Sequence, residues 1–117
     1  MKYEGYTTSK KSRCTRLMLV FNSGRAIVYN YHQLEVIEFT ASPDVLRLTF
    51  DLRSGQIEYI IEGTNLEVMI HFLQVDSIKS ITEATEIQID MFDGKTTLIR
   101  KITEERKSRK PEPVVAD

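Results

Sequence analysis

The chain has 117 residues, 41% of them hydrophobic and 28% charged, with a formal net charge of −1. This is ordinary globular usage at the size of one domain, which excludes fibrous, wholly disordered and disulfide-stapled classes. The single cysteine, Cys14, excludes an intrachain disulfide and a cysteine metal cluster and fits a reducing, cytoplasmic compartment.

Tyr3-Glu4-Gly5-Tyr6 offers no apolar signal region. No stretch approaches the roughly 18 apolar residues of a membrane span, so no membrane association is expected. Residues 1–14 are expected to be a flexible N-terminal segment. A single β-rich domain is expected over 15–103.

The first clear element pair is Leu17 to Phe21 and Ala26 to Tyr31. A Ser23-Gly24 connection signals a hairpin, because glycine accepts the positive φ of a tight primed turn. A two-residue loop there places Val20 opposite Ile27, Leu19 opposite Val28 and Met18 opposite Tyr29. Leu34 to Phe39 reads as a third, less regular strand that ends at Ser42-Pro43-Asp44.

Leu46, Leu48, Phe50 and Leu52 then alternate with mostly polar residues, as do Ile57, Tyr59 and Ile61 after Ser54-Gly55. That loop predicts Phe50 opposite Tyr59, Leu48 opposite Ile61, Arg47 opposite Glu62 and an unfavourable Asp51–Glu58 match.

The period next changes from two to about 3.6. Leu66, Met69, Ile70 and Leu73 form one helical stripe, and Thr64 with Glu67 reads as a capping box that starts a helix of about ten residues near Asn65. So short a helix is unstable alone and must dock on the sheet. A second apolar line, Val68, Phe72 and Val75, lies nearly opposite, and it needs cover from later strands or from a partner.

Ser77 to Thr82 leans to a short strand, although Ile78 and Ile81 are three apart. Ile87, Ile89 and Met91 alternate, Asp93-Gly94 signals a type I′ turn, and Lys95 to Thr103 returns, pairing Ile89 with Leu98 and Glu86 with Lys101. Beyond Thr103 the sequence is too polar to offset ordering entropy, so 104–117 is expected to be a disordered charged tail.

Charge is unevenly distributed. Residues 1–25 carry six Lys/Arg against Glu4, residues 26–93 carry three against twelve acids, and residues 94–117 carry seven against four. Lys10, Lys11, Arg13 and Arg16, close to Tyr3 and Tyr6, are the candidate contacts to an anionic partner, because basic groups pair with phosphates while aromatics stack on bases. The acidic middle opposes a polyanion, which makes nucleic acid the less favoured partner.

The two histidines, His32 and His71, are far apart, and no zinc spacing or phosphate-binding loop is present. Ser23 and Ser54 belong to turns, and Asp93 belongs to its Asp-Gly turn. Cys14 sits among basic residues that would favour its thiolate, yet it has no identifiable base or orienting group. No catalytic, cofactor or metal residue is therefore assigned.

The sequence supports an α+β fold: a bent antiparallel sheet or partly closed barrel of about seven strands with one amphipathic helix. The expected function is a non-enzymatic small binding or interaction module, engaging a protein or small ligand, as a monomer or as an oligomer. Val68, Phe72 and Val75 are its candidate protein contacts. The alternative is a nucleic-acid accessory protein acting through its basic ends.

Overall fold

Strand-forming alternation dominates the chain, and the computed structural model, which describes residues 3–10 and 13–108, turns it into eight strands in two sheets. The first sheet contains β1 (Tyr6–Thr8), β2 (Arg16–Val20), β3 (Ala26–Asn30) and β7 (Ile78–Thr82), in the order β1-β7-β2-β3. The second contains β4 (Leu34–Thr40), β5 (Asp44–Leu52), β6 (Gly55–Thr64) and β8 (Leu98–Ser108), in the order β4-β5-β6-β8. The fold is α+β as expected. The count is eight strands rather than seven, and neither sheet closes into a barrel.

The core lies between the sheets. Leu17 and Leu19 of β2 and Tyr29 of β3 meet Leu46, Leu48, Phe50, Ile57, Tyr59 and Ile61 of β5 and β6. The Tyr29 and Phe50 rings stack at 4.4 Å. Helix α1 (Glu67–Gln74) closes the core with Leu66, Met69 and Leu73, each no more than 1% exposed, and with the half-buried Ile70 packed alongside. The expected stripe is therefore the docked one.

Both hairpin registers differ from expectation, because each turn uses other residues than the Ser-Gly pair. The β2–β3 loop is one residue longer than Ser23-Gly24: Phe21 N–H bonds Arg25 O, Gly24 N–H bonds Phe21 O, and Gly24 takes the positive φ of 95°. This is a tight turn closed by a glycine bulge. It pairs Leu19 with Ile27, Met18 with Val28 and Leu17 with Tyr29.

In the β5–β6 hairpin the loop is Arg53-Ser54, with Leu52 opposite Gly55. The shift is two residues, so every side chain keeps its face. Phe50 meets Ile57, Leu48 meets Tyr59 and Arg47 meets Ile60, while Thr49 rather than Asp51 lies opposite Glu58.

A bulge also explains the odd spacing of Ile78 and Ile81. Thr7 pairs with Ser80 but Thr8 pairs with Ile78, so Lys79 is the extra residue and both isoleucines turn inward, fully buried. β7 also runs parallel to β2.

The Ile87–Met91 strand is not formed. Thr85 and Gln88 form a reciprocal capping box, with Gln88 N–H bonding Thr85 Oγ1 and Thr85 N–H bonding Gln88 Oε1, and they open the short helix α2 (Glu86–Asp90). Asp93 Oδ1 accepts Lys95 N–H in a local turn rather than a hairpin.

β8 pairs instead with β6, placing Leu98 opposite Thr64 and Lys101 opposite Glu62. It continues to Ser108, five residues beyond the boundary read from the sequence. Residues 109–117 of the expected tail lie outside the described residues. The Thr64–Glu67 capping box is not formed either: Thr64 stays in β6, and Leu66, whose N–H bonds Asp44 Oδ2, caps α1.

Candidate functional site: a groove beside the edge strand β1

The N-terminal segment, expected to be flexible, is threaded into the structure by Tyr3. Its hydroxyl donates to Thr82 O of β7 at 2.7 Å and accepts Ile99 N–H of β8 at 3.0 Å, so one side chain ties the two sheets together. Burial pushes this phenol up to about 12, opposed by the Ile99 bond and reinforced by the Glu83 charge. Tyr3 is a neutral, fixed donor at ordinary pH.

Next along the chain, Gly5 passes so close to β8's approach that a Cβ there would lie 2.7 Å from Thr97 O. Its carbonyl accepts Thr82 N–H, and Ser9 N–H bonds Ser77 O. Main-chain direction alternates along a strand, so Gly5 and Ser9 face β7 whereas the N–H and C=O groups of Tyr6 and Thr8 face the free side.

A groove of about 560 Å³ lies beside β1, lined by Tyr3, Tyr6 and Thr8 from the N-terminal segment and by Asn65, Val68 and Thr96 from the rest of the chain. Asn65, with φ of 58°, holds the opposite wall by donating to Thr96 O at 2.8 Å and Gly94 O at 3.4 Å, while Thr97 Oγ1 donates to Asn65 O. Val68, at the start of α1, is 47% exposed. The charged residues on the lining are Glu4 and Lys95. The groove thus combines a strand edge, an aliphatic wall and tyrosine rings.

The candidate partner contacts are divided by this geometry. Val68 lines the groove, and Val75, exposed, lies at the far end of α1. Phe72 is half-buried, and its ring lies 6.0 Å from that of Tyr6, so the chain's own first strand covers it. Cover comes from the N-terminus rather than from later strands.

Among the basic candidates, Lys10 follows β1, Arg13 precedes β2, and Arg16 opens β2 opposite Asn30; all three are exposed and none lines the groove. Lys11 lies outside the described residues. The role of β1 was not readable from sequence, because Tyr6-Thr7-Thr8 is too short to show a period, and the only signal was its β-favouring composition.

Among the described residues no three His, Cys, Asp or Glu side chains converge to hold a metal ion, and no helix is long and apolar enough to cross a membrane. No family model matches the chain, and no curated protein or solved structure matches it.

Proposed function

We propose that the protein is a non-enzymatic binding module that takes an extended polypeptide segment into the groove between β1 and α1. One observation carries the reading: Tyr6 and Thr8, whose main-chain groups face away from β7 on the open edge of the first sheet, line a groove together with the exposed Val68. An added strand satisfies those groups with main-chain hydrogen bonds, and alternate side chains contact the walls. The tyrosines supply apolar area with few rotamers to freeze.

Amide chemical-shift mapping with synthetic heptapeptides of alternating Val and Thr tests the reading. Shifts clustered on Tyr6, Thr8, Asn65 and Val68 are expected, and Thr8→Pro, which removes an outward N–H without touching the β7 ladder, abolishes them. Shifts absent or scattered over both sheets would overturn it.

A further inference from the structure

We infer that the free edge of β3 is the docking site of the chain's own Val114-Val115-Ala116, which adds a fifth strand to the first sheet. This edge lies at the opposite end of that sheet from β1, and the inference is independent of the groove's role.

Among the described residues, four strands form the sheet edges, and β3 is the one without a device that blunts pairing. β1 has a bulge at Thr7/Thr8, β4 has a bulge together with Glu35 and Glu38, and β8 carries Arg100, Lys101, Glu105, Arg106 and Lys107. Ala26-Ile27-Val28-Tyr29-Asn30 has neither charge nor bulge. Its pairing with β2 fixes which groups are free. Phe21 N–H bonds Arg25 O and Tyr31 N–H bonds Thr15 O, so the odd-numbered residues face β2 and the main-chain groups of Ala26 and Val28 face outward.

The second sheet supplies a floor beside this edge. β8 meets the first sheet in that sheet's own strand order. Ile99 bonds Tyr3, which also holds Thr82 of β7; Ile102 bonds Glu83, which also holds Asn22 just after β2; Glu104 pairs with Arg25 just before β3. β8 therefore passes beneath β3 and runs on from Glu105 to Ser108. Beyond β3 lies a depression of about 220 Å³ lined by Leu52, Gly55, Ile57 and Arg106. Leu52 and Ile57 pack on the core, so this is the side that faces the first sheet, and a strand laid along β3 covers it.

Length and composition pick the occupant. Residues 109–117 follow Ser108 and lie outside the described residues. Pro111 and Pro113 have no N–H to give a ladder, which makes 109–113 a linker, whereas Val114-Val115-Ala116 is uncharged and β-favouring like β3 itself. At strand rise Ser108 lies about 13 Å past Glu104, while the slot beside β3 is about 5 Å out and about 10 Å up, so the linker must span about 13 Å. Five residues reach about 17 Å. Glu112 and Asp117 bracket the triplet, and the exposed Arg106 and Lys107 rim the depression, so the charges are complementary.

Amide exchange on the full-length chain tests this. The Ala26 and Val28 N–H groups are expected to be protected at least about tenfold over their intrinsic rates. Val114→Asp/Val115→Asp should abolish that protection, while Ile27 and Tyr29, bonded to β2, stay protected and show the fold intact. Val114→Ile/Val115→Ile should keep it. Ala26 and Val28 amides that exchange equally fast in wild type and in the aspartate variant would overturn the inference. So would protection that the aspartate variant retains, since something other than the triplet would then cover the edge. Protection that grows with concentration as the sedimentation mass doubles would also overturn it, because the edge would then be covered by a second copy.

Discussion

Tyr59 donates its phenolic hydrogen to Glu104 Oε2 at 2.8 Å, directly across the β6–β8 pair. A phenol has one hydrogen, so in the 2.7 Å contact between Tyr29 and Tyr59 it is Tyr29 that donates. Arg25, from the tip of the β2–β3 hairpin, completes the chain with Nη2 3.1 Å from the same carboxylate oxygen and its guanidinium 4.9 Å above the Phe21 ring. A polar line therefore runs from the aromatic core to the surface and links the two sheets.

Removing one hydroxyl breaks this line in the middle. Tyr59→Phe leaves the Tyr29 hydroxyl facing an apolar ring and Glu104 with only its arginine partners, Arg25 and Arg106, which should cost about 1–3 kcal/mol, the penalty for a buried donor left unmade. Urea unfolding checks it.

The same carboxylate sets a pH dependence. Burial raises the Glu104 pKa, but the hydrogen bonds from Tyr59 and Arg25 and the Arg25 and Arg106 charges outweigh it and hold the group below its ordinary 4.5. Below that value the unfolded state binds more protons, so the stabilisation is full above 4.5 and is lost as pH falls through the folded value. Wild-type stability should therefore decline more steeply below pH 4.5 than that of Glu104→Gln. Equal slopes in acid titrations of the thermal midpoint would contradict this.

Glu83 is the second carboxylate between the sheets, only 8% exposed, accepting Asn22 N–H through Oε1 and Ile102 N–H through Oε2, both at 2.9 Å. Glu83→Ala strips two main-chain donors of their partner, at about 1–3 kcal/mol each. Amide exchange at Ile102 should quicken together with the fall in midpoint.

Gly63 sits at the β6–β8 bulge, where a Cβ would lie 1.9 Å from Leu98 O, a main-chain atom with no freedom to retreat. Gly63→Ala should fall among the most damaging single substitutions, above about 3 kcal/mol. At Gly24 the added methyl meets open space, and only the positive φ resists it. A thermal melt of the two variants ranks them.

Leu73→Ala should cost about 2–5 kcal/mol, because the side chain is 1% exposed and anchors α1 to the core. Ending the chain after Thr103 should also lower the thermal midpoint, since it deletes the last five residues of β8, Glu104 among them. An unchanged midpoint would show that the β6–β8 pairing beyond Thr103 contributes nothing.

Sequence by itself determined the fold class, the strands from Leu17 to Ile61 and the docked face of α1, because burial follows local periods that are written in the chain: two along Leu46-Leu48-Phe50, about 3.6 along Leu66-Met69-Leu73. Tertiary structure alone decided the pairing. Ile87-Ile89-Met91 alternates as a strand would, yet Thr85 and Gln88 cap it into a helix, and β8 takes β6 as its partner because the long apolar face of β6 rewards ten matched residues. Hairpin registers turned on which residues make the loop, Gly24 closing a three-residue loop in one and Arg53-Ser54 forming a two-residue loop in the other, choices that alter a count without altering composition. The groove was equally hidden, for its walls, Tyr6 and Val68, lie 62 residues apart in the chain, and they come together only through tertiary contacts such as the Tyr6–Phe72 ring pair and the close approach of Gly5 to Thr97.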